Sequence, residues 1–132
     1  MKKHPETGAE ILAKFPEYKR GRQLVLSHHE RLDGLGYPHG LAGNAIALGA
    51  RVLAVADAWD AMTSDRPYRK ALEPEIALAE LQRGRGSQWD AEVVDAFAAT
   101  LPGANPEAPA HWLDAGRPLL RSLGAAVGAL AG

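Results

Sequence analysis

A length of 132 residues is that of one compact domain, and 46% hydrophobic with 23% charged residues is the composition of an ordinary globular protein rather than a disordered or membrane chain. The formal net charge of -1 gives no general attraction for a nucleic acid polymer or an anionic membrane surface, so any phosphate binding has to be local. With no cysteine, the chain has no disulfide, zinc-thiolate site or thiol nucleophile, which fits a reducing cytoplasm.

The opening MKKHPETGAEI lacks the apolar run of a secretory signal. No stretch approaches the ~18 uninterrupted apolar residues of a spanning helix. Pro5 suits the first turn of a helix, and Ile11, Leu12 and Phe15 recur at helical spacing until Pro16. A second helix is predicted over residues 22–31, where Leu24, Val25, Leu26, His28 and His29 precede a loop at 33–43 with four glycines and a proline. Leu48–Thr63, LGARVLAVADAWDAMT, is apolar or small almost all round, as in a buried helix. A fourth helix opens at Glu73 or Pro74, carries Ile76, Leu78, Ala79 and Leu81, and is ended by Gly84 and Gly86. Asp90 suits the N-cap of a fifth, with Val93, Val94, Phe97 and Leu101 as its stripe.

Nothing alternates with period two long enough for a strand, so the fold class is all-α, a helical bundle. Beyond Leu101 the composition shifts to PGANPEAPAHWLDAGRP. Residues 102–132 read as a Pro/Ala/Gly-rich tail, with a weak helix over 119–130 that packs on the core or on a second subunit.

The chemistry gathers in two places. A carboxylate at Asp57, inside a helix that reads as buried, is expensive unless something cationic receives it. A salt bridge to Arg51 or Arg66 would do so, and so would a metal ion. His28 and His29 point about 100° apart on a helix, so both approach one ion only at the helix edge. His4, before the Pro5 helix start, can be brought to the same place. Neutral imidazoles with a carboxylate suit iron, manganese, nickel or zinc better than calcium. The competing reading is a stable helical protein whose histidines are structural. In SDRPYRK, Arg66, Arg69 and Lys70 either complement the end of the preceding helix or grip phosphate oxygens, with Tyr68 as a ring for a base to stack on.

The run HHERLDGLGYPHGLAG, followed by ARVLAVADAWDAMTSDRPYRKAL and by QWD at 88–90, closely resembles the carboxyl-terminal portion of HD-GYP domains, bacterial phosphodiesterases that hydrolyse cyclic di-GMP. The resemblance spans residues 1–101. It implies a helical bundle around two or three metal ions, most often iron or manganese, with His4, His28 and His29 as ligands of one ion and Asp57 as a ligand of its neighbour. It puts Arg66 and Arg69 at the substrate phosphates. It puts the loop with Asp33, Gly34, Gly36, Tyr37 and Pro38 beside the substrate opening, where it also serves as a contact for GGDEF domains.

The His-Asp doublet that also names the family occurs nowhere in this sequence. The resemblance therefore implies that the doublet and further helices precede residue 1, as after a truncation, an internal start or a split gene. The expectations are one ion rather than two or three, weak hydrolysis of cyclic di-GMP to pGpG or GMP by this chain alone, and self-association through an exposed helix face. The alternative is a non-catalytic cyclic-dinucleotide-binding or GGDEF-interaction module.

Overall fold

The structure, a computed structural model, describes residues 3–103. Its elements are α1 (His4–Leu12), a short 3-10 turn at Pro16–Tyr18, α2 (Lys19–Ser27), a second such turn at Gly43–Ala45, α3 (Leu48–Thr63), α4 (Pro74–Arg83) and α5 (Ala91–Thr100). Among the described residues there is no strand beyond isolated bridges, and the fold is all-α as expected. The expected tail helix at 119–130 lies outside the described residues. The described residues up to Val94 form one compact unit, and the described residues from Asp95 on fall outside it. Among the described residues no helix is long and apolar enough to cross a membrane.

Local chemistry sets most boundaries. Pro5 sits in the first turn of α1 and Glu6 complements its amino end. The helix stops at Leu12, short of the predicted Phe15, because the residue before a proline is pushed out of helical backbone. Phe15 accordingly has φ -122 and ψ 100. The second helix runs over Lys19–Ser27 rather than 22–31, with His28 as its C-cap. The chain turns there because the Glu30 amide closes on the Ser27 carbonyl at 3.0 Å. The paired histidines thus leave the end of a helix instead of riding its side.

Pro74 opens α4, with Glu75 in its first turn and Arg83 in its last. Asp90 caps α5 as its side chain predicts, its Oδ1 accepting the amides of Glu92 at 2.8 Å and Val93 at 3.3 Å. The other oxygen of Asp90 receives the Arg51 guanidinium from α3.

The core is built from Ala9, Ile46, Ala50, Val55, Ala77, Leu81, Val93 and Val94. Burying a side chain such as Leu81 contributes about 1.5–3 kcal/mol. The expectation that α3 is buried all round is corrected, since Ala50 and Val55 are buried while Leu48, Ala56, Asp57 and Asp60 are exposed. One side of α3 packs on α2 and α4. Of its small residues, Gly49, Ala54, Ala58 and Ala61 are half-buried and Ala56 is exposed.

Candidate metal centre

The first two helices form an antiparallel hairpin through the Pro16–Tyr18 turn, so the start of α1 returns to the end of α2. His4 is carried there to meet His28 and His29. One ring nitrogen from each of the three lies within 4.8 Å of the others. The Nε2 atoms of His4 and His29 are 2.8 Å apart, and the rings of His28 and His29 have centroids 3.9 Å apart. Two ring nitrogens at that separation require a proton or a cation between them.

The donor set fits a divalent ion. Ligand nitrogens at about 2.0–2.1 Å from a metal stand roughly 3 Å from each other, and the Nε2 atoms of His4 and His29 are already at that separation. The Nδ1 of His28 donates to the Val25 carbonyl at 2.6 Å, since a carbonyl only accepts. That bond fixes the tautomer and leaves Nε2 with its lone pair outward, the arrangement typical of a metal-binding imidazole. Burial, followed by the neighbouring His28 and His4, pulls the pKa of His29 below its ordinary value, against an opposing pull from Asp57. The shift favours the neutral ring, the form that binds a metal.

Asp57 is exposed on α3, which corrects the expectation of a buried carboxylate in need of a partner. The cations that might have paired with it are engaged elsewhere, Arg51 with Asp90 and Arg66 with Asp60. Asp57 bears on the centre through its charge on His29 and is not part of the three-nitrogen cluster.

The glycine-rich loop folds back on the histidines. A Cβ at Gly36 would stand 2.4 Å from the Arg31 nitrogen, 2.5 Å from the His29 oxygen and 2.6 Å from the Glu30 Cα, so only glycine passes there. The Tyr37 amide then donates to the His29 carbonyl at 3.2 Å, and its ring stacks on the His29 imidazole with centroids 5.0 Å apart and planes 18° apart. Arg31 grips Asp33 through two bonds of 3.1 and 2.7 Å, while Asp33 Oδ1 also accepts the Leu35 amide. Gly34 stands at φ 80, a conformation that favours glycine. Pro38 follows Tyr37 through a cis bond.

The role of Glu30 is not legible in the sequence. Its buried carboxylate accepts the amides of His39 at 2.7 Å and Leu41 at 2.9 Å, closing the loop. The signal was its place directly after the histidine pair, but a buried acid with backbone donors cannot be told from a solvated one without the fold.

Arg66 and Arg69 face each other across a tight turn, each amide bonded to the other's carbonyl, with Pro67 and Tyr68 at the tip. Tyr68 is 83% exposed. The Arg69 guanidinium donates to the carbonyls of Ala61, Met62 and Lys70, which places it on the carboxyl end of α3. Arg66 holds Asp60 only loosely, at 3.6 Å, with its side chain 42% exposed.

A family model described as HD domain matches residues 1–93. The chain is 48% identical over 99 residues to the cyclic di-GMP phosphodiesterase response regulator RpfG of Xanthomonas campestris, covering 74% of this chain and 26% of that protein. It is 41% identical over 107 residues to a cyclic di-GMP phosphodiesterase of Vibrio cholerae, covering 75% and 22%. A 3'3'-cGAMP-specific phosphodiesterase of the same organism is 36% identical over 98 residues, covering 74% and 21%. The chain thus spans about a quarter of the length of these curated relatives.

Proposed function

The chain belongs to the HD domain family, and on that premise we propose that His4, His28 and His29 hold one divalent ion, iron or manganese, in a phosphodiesterase centre that acts on cyclic di-GMP. The observation that carries the reading is the meeting of three imidazole nitrogens from the start of α1 and the segment just after α2, with the His28 tautomer set for coordination. When bound, the ion supplies a Lewis acid for a phosphoryl oxygen.

The chain's own residues do the rest. His28 is oriented by the Val25 carbonyl, and His29 is pressed by Tyr37. Asp57, exposed near His29, lends the centre negative charge that favours a bound cation. Arg66, loosely held, swings from Asp60 to a substrate phosphate, whereas Arg69 fastens the turn that carries Arg66 and Tyr68. The product is pGpG or GMP, and the compartment is the cytoplasm.

Among the described residues the cluster offers three nitrogens, a set for one ion, and the sequence contains no His-Asp pair to bridge a second. Turnover by this polypeptide alone is therefore slow. Each ~1.4 kcal/mol of lost transition-state stabilisation lowers the rate tenfold. The test is hydrolysis of cyclic di-GMP by the chain loaded with iron or manganese under reducing conditions. Little advantage over a His28→Ala, His29→Ala variant is expected. Robust turnover abolished in that variant would establish catalysis and overturn the one-ion limit, and 3'3'-cGAMP as a parallel substrate would test the choice of dinucleotide.

A second reading, a non-catalytic cyclic-dinucleotide-binding or GGDEF-interaction module, is favoured by Leu35, which stands 76% exposed on the glycine-rich loop. Self-association through the exposed side of α3, where Leu48 is 41% exposed, belongs to the same reading.

A further inference from the structure

We propose that Glu30 is a positioning residue for the metal centre: its carboxylate holds the loop of residues 31–41 so that Tyr37 lies against His29 and fixes the angle at which that imidazole faces His4. The inference rests on the reading of the three histidines as ligands, and it concerns a residue which that reading leaves without a part.

The Glu30 side chain is 0% exposed, and its nearest cationic candidate is the His39 ring, 3.9 Å away. Removing a carboxylate from water costs several kcal/mol. The two short bonds from the His39 and Leu41 amides offset that cost, because hydrogen bonds to a charged acceptor are about twice as strong as neutral ones. The geometry calls for a carboxylate in particular. Both partners are N–H donors, so both side-chain oxygens have to accept, and an amide would turn its NH2 toward one of them.

The hold is transmitted along the loop. With its end tied at His39 and Leu41, the segment is drawn over the His29–Arg31 backbone at Gly36, where no Cβ fits. Tyr37 comes next, bonded to the His29 carbonyl and stacked on the imidazole whose Nε2 lies 2.8 Å from that of His4. Turning the His29 ring requires moving the Tyr37 ring, which requires lifting the loop from Glu30.

The experiment titrates the purified chain with cobalt(II) alone, reading affinity and the visible ligand-field spectrum, beside contacts between the Tyr37 and His29 rings seen by NMR without metal. Glu30→Gln should retain the helical circular dichroism, bind cobalt about 10–100-fold more weakly, change the spectrum and lose the ring contacts. Tyr37→Leu should weaken binding similarly, and the double variant should be no weaker than the worse single one, because the two residues act in series.

Unchanged affinity and spectrum in Glu30→Gln would overturn the role of Glu30, and so would fully additive losses. Should Glu30→Gln not fold, Tyr37→Leu decides, and wild-type affinity and spectrum there would equally overturn it. An unmodified chain that binds no cobalt overturns the metal reading and this proposal together. Binding that is lost in His28→Ala but untouched by Glu30→Gln removes the part of Glu30 alone.

Discussion

The Nε2 atoms of His4 and His29 lie 2.8 Å apart although 25 positions separate the residues in the chain. The contact joins the first residue of α1 to the segment just after α2, so the metal reading depends on the helical hairpin as much as on the ligands. His4→Ala should leave helical circular dichroism nearly unchanged, because His4 is exposed, and should weaken manganese(II) binding at least tenfold by calorimetry. Equal affinity in the variant would remove His4 from the centre.

The two arginines of the Pro67–Tyr68 turn should separate by experiment. Arg69→Ala removes donors from the Ala61 and Met62 carbonyls near the end of α3 and should lower stability by about 1 kcal/mol in urea unfolding. Arg66→Ala loses only a loose, exposed ion pair and should leave stability within about 0.5 kcal/mol of the parent. If Arg66 receives a phosphate, the same variant should weaken cyclic di-GMP binding in a direct titration. Equal binding would leave Arg66 outside the substrate site.

Gly36 is expected to be intolerant of any side chain. An added Cβ meets backbone atoms on three consecutive residues, which cannot rotate away as a side chain can. Gly36→Ala should therefore destabilise the fold by about 1–3 kcal/mol or more. Denaturant unfolding measures this, and a loss below about 0.5 kcal/mol would mean that the loop does not run so close to His29.

The Asp33 carboxyl should titrate below its ordinary 3.8, because its hydrogen bonds from the Arg31 side chain favour the ionised form, with help from the Leu35 amide. A lowered folded-state value makes the unfolded chain the better proton acceptor, so the contribution is complete above 3.8 and disappears as pH falls through the lower folded value. The residue is exposed and the effect on global stability is small. NMR titration of the Asp33 carboxyl, followed beside the Leu35 amide, checks it. A normal value, or a Leu35 shift that persists in Asp33→Asn, would contradict the bond.

Helix identity was legible from local chemistry. Pro5, Pro74 and Asp90 mark starts that depend only on neighbouring backbone, and their helices begin where those residues say. The end of α2 was not legible. No glycine or proline interrupts Ser27–Arg31, yet the chain turns after Ser27 where the Glu30 amide meets the Ser27 carbonyl, and the Glu30 carboxylate is then taken up by amides nine and eleven residues downstream. The exposure of Asp57 was not legible for a related reason, since an all-round apolar pattern records what a helix can pack against and not what packs on it.

By itself the sequence determined the all-α class, the starts of α1, α3, α4 and α5, and the family, because these depend on residue types at short, fixed spacing. Only the tertiary structure decided the rest: which nitrogens face one another, that Asp57 is exposed, that Arg69 serves the end of α3, and that Glu30 is buried beneath a loop. Each of these depends on segments distant in the chain meeting in space. A side chain carries the same chemistry in either setting, and the neighbours brought by the fold choose between a structural bond and a site.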